Sequence, residues 1–329
     1  MRKTLAVIGA VLVGVLSGLA QEAAKVEIPI KSGQKIAFLG DSITAGGVGS
    51  AGYVTLTIAG LKANGIEATA IGAGISGHKS NDMLARLGRD VLEKKPDWMT
   101  LSCGVNDVWH GPRGVALEQY KSNITAIIDQ AQAANVKVMI LTATVITEDL
   151  NADNNKKLVP YNDFLRALAK EKNCLLADLN ADFQEIIKVK TTPGNALTGD
   201  GVHMNMRGNE VMSKGILRAF GLDAVQLVKA EESWQDLPGV CDVSPEFKGT
   251  LKVSKRQLQK LEAIAKKYQI TVPQMTRLLY GASALGGVPT GTAAEIEAFL
   301  TKNATQDPAA TMQAGLSDSL KALLATPAP

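Results

Sequence analysis

Five short apolar runs, interleaved with longer segments that have the spacing of amphipathic helices, constrain this chain more than any other feature. The runs occupy residues 36–39, 66–71, 98–103, 136–143 and 174–179, and the helix-like segments 54–63, 80–94, 117–134, 161–172 and 204–220. Strands that are apolar along their whole length are buried on both faces, and strands joined through helices pair in parallel. Right-handed crossovers then place helices on both sides of the sheet. The expected fold is α/β, a three-layer α/β/α sandwich around a five-stranded parallel sheet filling residues 21–225. Ligands of such sheets gather outside the carboxyl ends of the strands, so the residues just after each run are where chemistry is to be sought.

The two ends of the chain read differently. Met1-Arg2-Lys3-Thr4 is a basic start, residues 5–20 are apolar, and Gly18-Leu19-Ala20 puts small residues before Gln21. Sixteen apolar residues span ~24 Å as a helix, less than the ~30 Å hydrocarbon core. A signal peptide over 1–20 is therefore expected in preference to an uncleaved anchor. It implies export to a periplasmic or extracellular location, with no stable membrane insertion after cleavage. From about 226 the alternation stops. Residues 233–249, with Pro238, Gly239 and Pro245, read as a linker. Residues 254–268 read as a helix capped by Ser254, with a stripe of Leu258, Leu261, Ala265 and Tyr268. Its other face carries Lys255, Arg256, Lys260, Lys266 and Lys267, and is expected to be solvated rather than to bind an anionic glycan or membrane. Short helices are expected at 271–280 and 292–302, so 226–329 forms a linker and a helical extension with no assigned role.

Charge and cysteine content exclude several functions. Lys and Arg total 35 against 32 Asp and Glu, and without Arg2 and Lys3 the balance is 33 to 32. With 4% aromatic residues as well, the chain has neither the field nor the stacking surface for nucleic acid. Its three cysteines cannot all pair. Cys103 and Cys174 fall in strand-like stretches and read as buried thiols, whereas Cys241 in a Pro/Gly-containing connection is the one placed to react. None has metal-ligand spacing, and no metal or cofactor is expected.

The strand ends carry four short blocks: Gly40-Asp41-Ser42-Ile43-Thr44, Gly72-Ala73-Gly74-Ile75-Ser76-Gly77, Gly104-Val105-Asn106-Asp107 and Asp200-Gly201-Val202-His203. A serine hydroxyl is a weak nucleophile until a base takes its proton, and histidine titrates near neutrality. Asp200, three residues before His203, is within reach of the imidazole and would hold its tautomer. An oxyanion needs fixed donors, which the Ser42 and Gly77 N–H groups and the Asn106 amide would supply. Trp109, His78 and His110 lie near strand ends and would line a substrate pocket. Trp109 reads equally as a half-buried packing residue, and neither histidine has a carboxylate placed as Asp200 is. Asp41 is expected to fix the serine turn, and Asp107 its own loop. Of two Gly-x-Gly-x-x-Gly matches, the one at 47–52 does not directly follow a strand, and the one at 72–77 follows a strand but has no acidic residue at the end of the next, as a dinucleotide needs.

These four blocks resemble the signatures of the SGNH (GDSL-type) hydrolases over residues 33–222. The resemblance implies a flavodoxin-like sandwich and metal-independent ester hydrolysis. It also implies the roles above for Ser42, Gly77, Asn106, Asp200 and His203. Gly33-Gln34-Lys35, Gly74-Ile75-Ser76-Gly77, Lys95-Pro96-Asp97-Trp98 and Gly104 to Trp109 are similar to SGNH acetylxylan esterases. That narrower likeness implies a serine carboxylic ester hydrolase working through an acyl-enzyme, removing acetyl from a carbohydrate or polysaccharide. A lipase- or thioesterase-like hydrolase of longer acyl esters remains an alternative. So does a glycan-binding or scaffold protein that keeps the fold without the reaction.

Overall fold

The computed structural model describes residues 27–191, 193–237, 241–243 and 251–267. The leader expected at 1–20, the helices expected at 271–280 and 292–302, and the Cys241 side chain lie outside that description. In chain order the elements are β1 (Lys35–Gly40), α1 (Ser42–Gly47), α2 (Tyr53–Ala63), β2 (Thr69–Gly74), α3 (Ser80–Asp90), β3 (Trp98–Ser102), α4 (Val105–Trp109) and α5 (Leu117–Ala133). There follow β4 (Lys137–Leu141), α6 (Asp153–Glu171), β5 (Leu175–Ala177), α7 (Leu179–Lys188), α8 (Met206–Ala219) and α9 (Ala224–Trp234). The described chain ends with β6 (Cys241–Val243), β7 (Leu251–Val253) and α10 (Lys255–Lys267).

Strands β1 to β5 form one parallel sheet in the order β2-β1-β3-β4-β5. The central strands are buried along these stretches, as their largely apolar runs require: Ile36 to Leu39 in β1, Trp98 to Leu101 in β3 with Thr100 as its one polar member, and Val138 to Leu141 in β4. Helix α2 packs on α8 and α9, and α3 packs on α5, which packs on α6. The expected three-layer α/β/α sandwich is the observed one.

Several boundaries differ, each for a physical reason. The second strand spans Thr69–Gly74 rather than 66–71, so Gly72 and Gly74 belong to the sheet and not to the loop after it. A Cβ on Gly74 would collide with the backbone nitrogen of Ala45, so glycine here admits α1 against the edge strand. Helix α6 starts at Asp153 rather than 161 and runs through Pro160, whose missing N–H leaves the carbonyl of exposed Lys156 to solvent. The boundary expected at 225 falls inside α9. Asp223 and Gln226 cap that helix reciprocally, and buried Trp234 donates its indole N–H to the Leu56 carbonyl of α2 at 2.8 Å. The packed unit therefore continues through Trp234. Helix α10 begins where expected, after Ser254, but Lys255 pairs with Glu210 of α8 and Arg256 with Asp236 at 2.6 Å. Those two cations fasten the helix down instead of belonging to a solvated face.

Candidate active site

The serine block folds as the end of β1 turning directly into α1. Asp41 is buried, and its Oδ1 accepts the Ile43 N–H at 2.9 Å, which starts the helix at Ser42. Burial pushes the Asp41 carboxyl up to about 6. Thr44 in turn bonds the buried Tyr53 hydroxyl at 2.8 Å. These contacts leave the Ser42 side chain at the carboxyl edge of the sheet.

Opposite it stands the loop between α7 and α8. Ser42 Oγ lies 2.9 Å from His203 Nε2, and His203 Nδ1 lies 2.7 Å from Asp200 Oδ2. Asp200 Oδ1 accepts the backbone N–H groups of Val202 at 2.9 Å and His203 at 2.7 Å. The hydrogen bond from the His203 side chain is the main reason the Asp200 carboxyl is held down at about 2. An ionised carboxylate only accepts, so His203 Nδ1 carries a proton toward Asp200, and Nε2 is the ring nitrogen that faces the serine hydroxyl. The His203 and Asp200 side chains are 43% and 56% exposed, open to an entering ester.

Gly77 adopts φ +77°, where a side chain would be strained, although a Cβ there would meet nothing within 4 Å beyond its chain neighbours. Its turn is tied to the serine turn by Ile75 N–H donating to the Gly40 carbonyl at 3.1 Å. Buried Asn106, in the first turn of α4, donates from Nδ2 to the His78 carbonyl at 3.1 Å, which fixes its amide plane and leaves the second N–H available. Asp107 does more than brace its own loop. Its Oδ1 accepts both the N–H and the hydroxyl of Ser80, at 3.0 and 2.6 Å, and so caps α3, while Oδ2 accepts the Cys103 thiol at 3.4 Å. Burial pushes the Cys103 thiol up well above its usual value and the Cys174 thiol up to about 11. Cys103 is the buried thiol expected, whereas Cys174 is only partly buried.

Residues 38–211 match the GDSL-like Lipase/Acylhydrolase family. The chain belongs to that family. This GDSL-like hydrolase is 29% identical over 218 residues to an acetylxylan esterase of Geobacillus stearothermophilus, covering 60% of this chain and 98% of the relative. It is 36% identical over 110 residues to Esterase TesA of Pseudomonas aeruginosa, covering 33% of this chain and 53% of that one. Among solved structures, an acetyl xylan esterase named AlAXEase superposes with a TM-score of 0.53 at 36% identity, covering 56% of this chain and 98% of its own. The Geobacillus acetylxylan esterase superposes with a TM-score of 0.54 at 28% identity, covering 59% and 97%. The protein is an SGNH carboxylic ester hydrolase.

In this GDSL-like hydrolase the pocket candidates occupy different surroundings. Trp109 is 43% exposed at the end of α4 and stands edge-on to the His110 ring, centroids 6.3 Å apart. It is a surface residue and not a packing one. His78 accepts the Arg86 Nε–H on Nδ1 at 3.1 Å, and burial followed by the guanidinium charge lowers its pKa.

Two framework residues carry no motif. Buried Arg86 on α3 reaches the Gly40 and Ala73 carbonyls as well as His78. Its spacing from Met83 and Leu87 on the apolar stripe is the signal that places a cation indoors. Buried Glu148 follows the fourth apolar run. It accepts the N–H groups of Ala196, Leu197 and Thr198 at 2.6, 2.8 and 2.8 Å and the Thr198 hydroxyl at 2.8 Å. Burial raises its pKa, but those donors outweigh it, and the carboxyl stays below its usual value. Thr147 beside it, at φ +70°, donates its N–H to the Gly201 carbonyl at 2.8 Å. Glu148 and Thr147 thus hold the stretch that carries Asp200 and His203. Among the described residues no three His, Cys, Asp or Glu side chains gather as a metal site, and no helix is long and apolar enough to cross a membrane.

Proposed function

We propose that this hydrolase removes acetyl groups from a carbohydrate through an acyl-serine intermediate, with Ser42 as nucleophile, His203 as base and Asp200 as its orienting partner. The observation that carries the reading is the unbroken chain of contacts from Ser42 Oγ to His203 at 2.9 Å and on to Asp200 at 2.7 Å. Ser42 Oγ attacks the ester carbonyl as its proton passes to His203 Nε2. The resulting oxyanion is held by the N–H groups of Ser42 and Gly77 and the free Asn106 amide proton, each contributing roughly 2.7–4 kcal/mol. His203 returns the proton to the departing sugar oxygen, leaving acetyl-Ser42. Water, relieved of a proton by the same imidazole, then releases acetate. No step needs a metal or cofactor.

The acetyl and carbohydrate parts of the reading draw on the relatives named acetylxylan esterase. The exposed Trp109 adds support, since an indole offers a flat apolar face to a sugar ring. Acetate release across a panel of acetylated polysaccharides, with Ser42→Ala as control, tests both. Faster cleavage of C8 than of C2 p-nitrophenyl esters overturns the deacetylase assignment in favour of a long-chain hydrolase. Absence of Ser42 labelling by a fluorophosphonate overturns the acyl-serine mechanism and favours a binding protein. Export behind a cleaved leader over 1–20 belongs to the same proposal, and an intact mass that starts at Gln21 tests it.

A further inference from the structure

Arg86 is 5% exposed, and its guanidinium donates to acceptors on four segments. Nη2 reaches the Gly40 carbonyl at the end of β1 at 2.7 Å, and Nη1 reaches the Ala73 carbonyl of β2 at 2.8 Å. Nε reaches His78 Nδ1 at 3.1 Å, and Nη1 also meets Asp90, one turn along α3, at 2.9 Å. Asp90 supplies the countercharge a buried guanidinium needs. The acceptors are informative by position. Gly40 stands two residues before Ser42, and His78 directly follows Gly77. One rigid planar group therefore bridges the two turns that present the Ser42 and Gly77 N–H groups. The Gly40 carbonyl also takes the Ile75 N–H, so both turns converge on a single oxygen beside Arg86.

We propose that Arg86 is a positioning residue that sets the spacing between the two backbone donors of the oxyanion hole. The inference rests on the reading of Ser42 and Gly77 above. A flexible ammonium cannot reproduce several fixed donor directions in one plane, so lysine is not a substitute here. Displacing one donor by a fraction of an ångström weakens the hold on the tetrahedral adduct while leaving ground-state binding alone.

The test uses the full-length protein with Arg86→Lys, Arg86→Ala and His78→Leu, assayed on p-nitrophenyl acetate. Phenylboronic acid, which forms a tetrahedral adduct on a nucleophilic serine, serves as the transition-state probe. In Arg86→Lys, kcat is expected to fall about 100-fold with phenylboronate affinity falling alongside it and KM little changed. Added ethylguanidinium is expected to restore part of kcat in Arg86→Ala and none in Arg86→Lys, whose side chain still fills the site. His78→Leu removes one acceptor and keeps the buried cation, so a smaller loss of kcat of about 10-fold is expected, again at constant KM. If the Arg86 variants do not fold, His78→Leu decides alone. Folded variants with wild-type kcat and boronate affinity overturn the proposal. So does a kcat loss that vanishes when the assay is cooled well below Tm. Esterase activity or boronate binding that survives Ser42→Ala instead overturns the underlying reading of the site.

Discussion

Ser42 and His203 meet across 2.9 Å, yet the chain supports them by different means. The serine leaves a strand paired on both sides, in a turn stabilised by buried Asp41 and bridged by Arg86 to the edge strand. The histidine stands on a connection between α7 and α8 that lies outside the sheet. It is held chiefly by four donors converging on the Glu148 carboxylate and by the Thr147 contact to Gly201. Thr147 is a β-branched residue in the left-handed region, which stores roughly 1–3 kcal/mol of strain. On the serine side, sheet pairing supplies a frame that the buried Asp41 and Arg86 side chains brace. On the histidine side no strand is at hand among the described residues, and the Glu148 carboxylate gathers the backbone donors that a neighbouring strand would otherwise pair.

The largest expected contrast between the halves is catalytic. Ser42→Ala should lower kcat on acetyl esters by about 10⁵–10⁶-fold with unchanged Tm, and Asp200→Asn by about 10⁴-fold with a modestly lower Tm, because the folded state favours the ionised carboxylate. Equal losses would mean that orienting the ring matters as much as having the nucleophile. Next, Glu148→Gln replaces an acceptor with an amide that turns N–H groups toward N–H groups. A loss of about 3 kcal/mol is expected, and a fall in kcat as the 196–203 stretch loosens, read by thermal melts and by rates on p-nitrophenyl acetate.

Two of the buried carboxylates, Glu148 and Asp41, should also answer pH with opposite signs. Glu148 is held below its usual 4.5, so its stabilisation is full above that pH and fades as the pH falls through the folded value. The Tm gap between wild type and Glu148→Gln should therefore narrow in acid. Asp41 is raised from 3.8 to about 6, so the native state holds its proton more tightly than the unfolded chain. Wild type should lose at most about 3 kcal/mol relative to Asp41→Asn as the pH rises from 4 to 7, and a gap independent of pH would contradict the charge of Asp41. The smallest effect is expected at Trp109, outside both supports. Trp109→Ala should leave p-nitrophenyl acetate rates unchanged and reduce kcat/KM on acetylated xylo-oligosaccharides by the equivalent of about 1 kcal/mol.

Much of this was legible in the residues because some signals are local. The run at 36–39 is apolar throughout and the one at 98–103 is broken only by the small residues Thr100 and Ser102, a pattern that fits strands buried on both faces. Ser42, Asn106, Asp200 and His203 sit in short blocks anchored to element ends, so type and place appear together. Edge strand β2 slipped because its glycines look like punctuation until α1 is seen pressed against Gly74. Helices α1 and α4 are too short to show a period, and α7 follows β5 so closely that the fifth run ran into it. Helix α9 was hidden because its burial rests largely on Ala230 and Trp234. Arg86 and Glu148 belong to no motif because several of their partners are backbone groups up to about 50 residues away, which any sequence supplies; only the place of Arg86 on the apolar stripe of α3 hints at its burial.

Ser42 and His203, the proposed nucleophile and base, are 161 positions apart, with most of the sheet encoded between them. A ribosome releasing this polypeptide makes the hydroxyl first and the imidazole long afterwards, once β5 and α7 have emerged. A nascent chain is chemically silent for most of its synthesis. On the mechanism proposed above, turnover requires the stretch carrying His203 to have folded against the end of β1, so esterase activity doubles as a gauge of that long-range step.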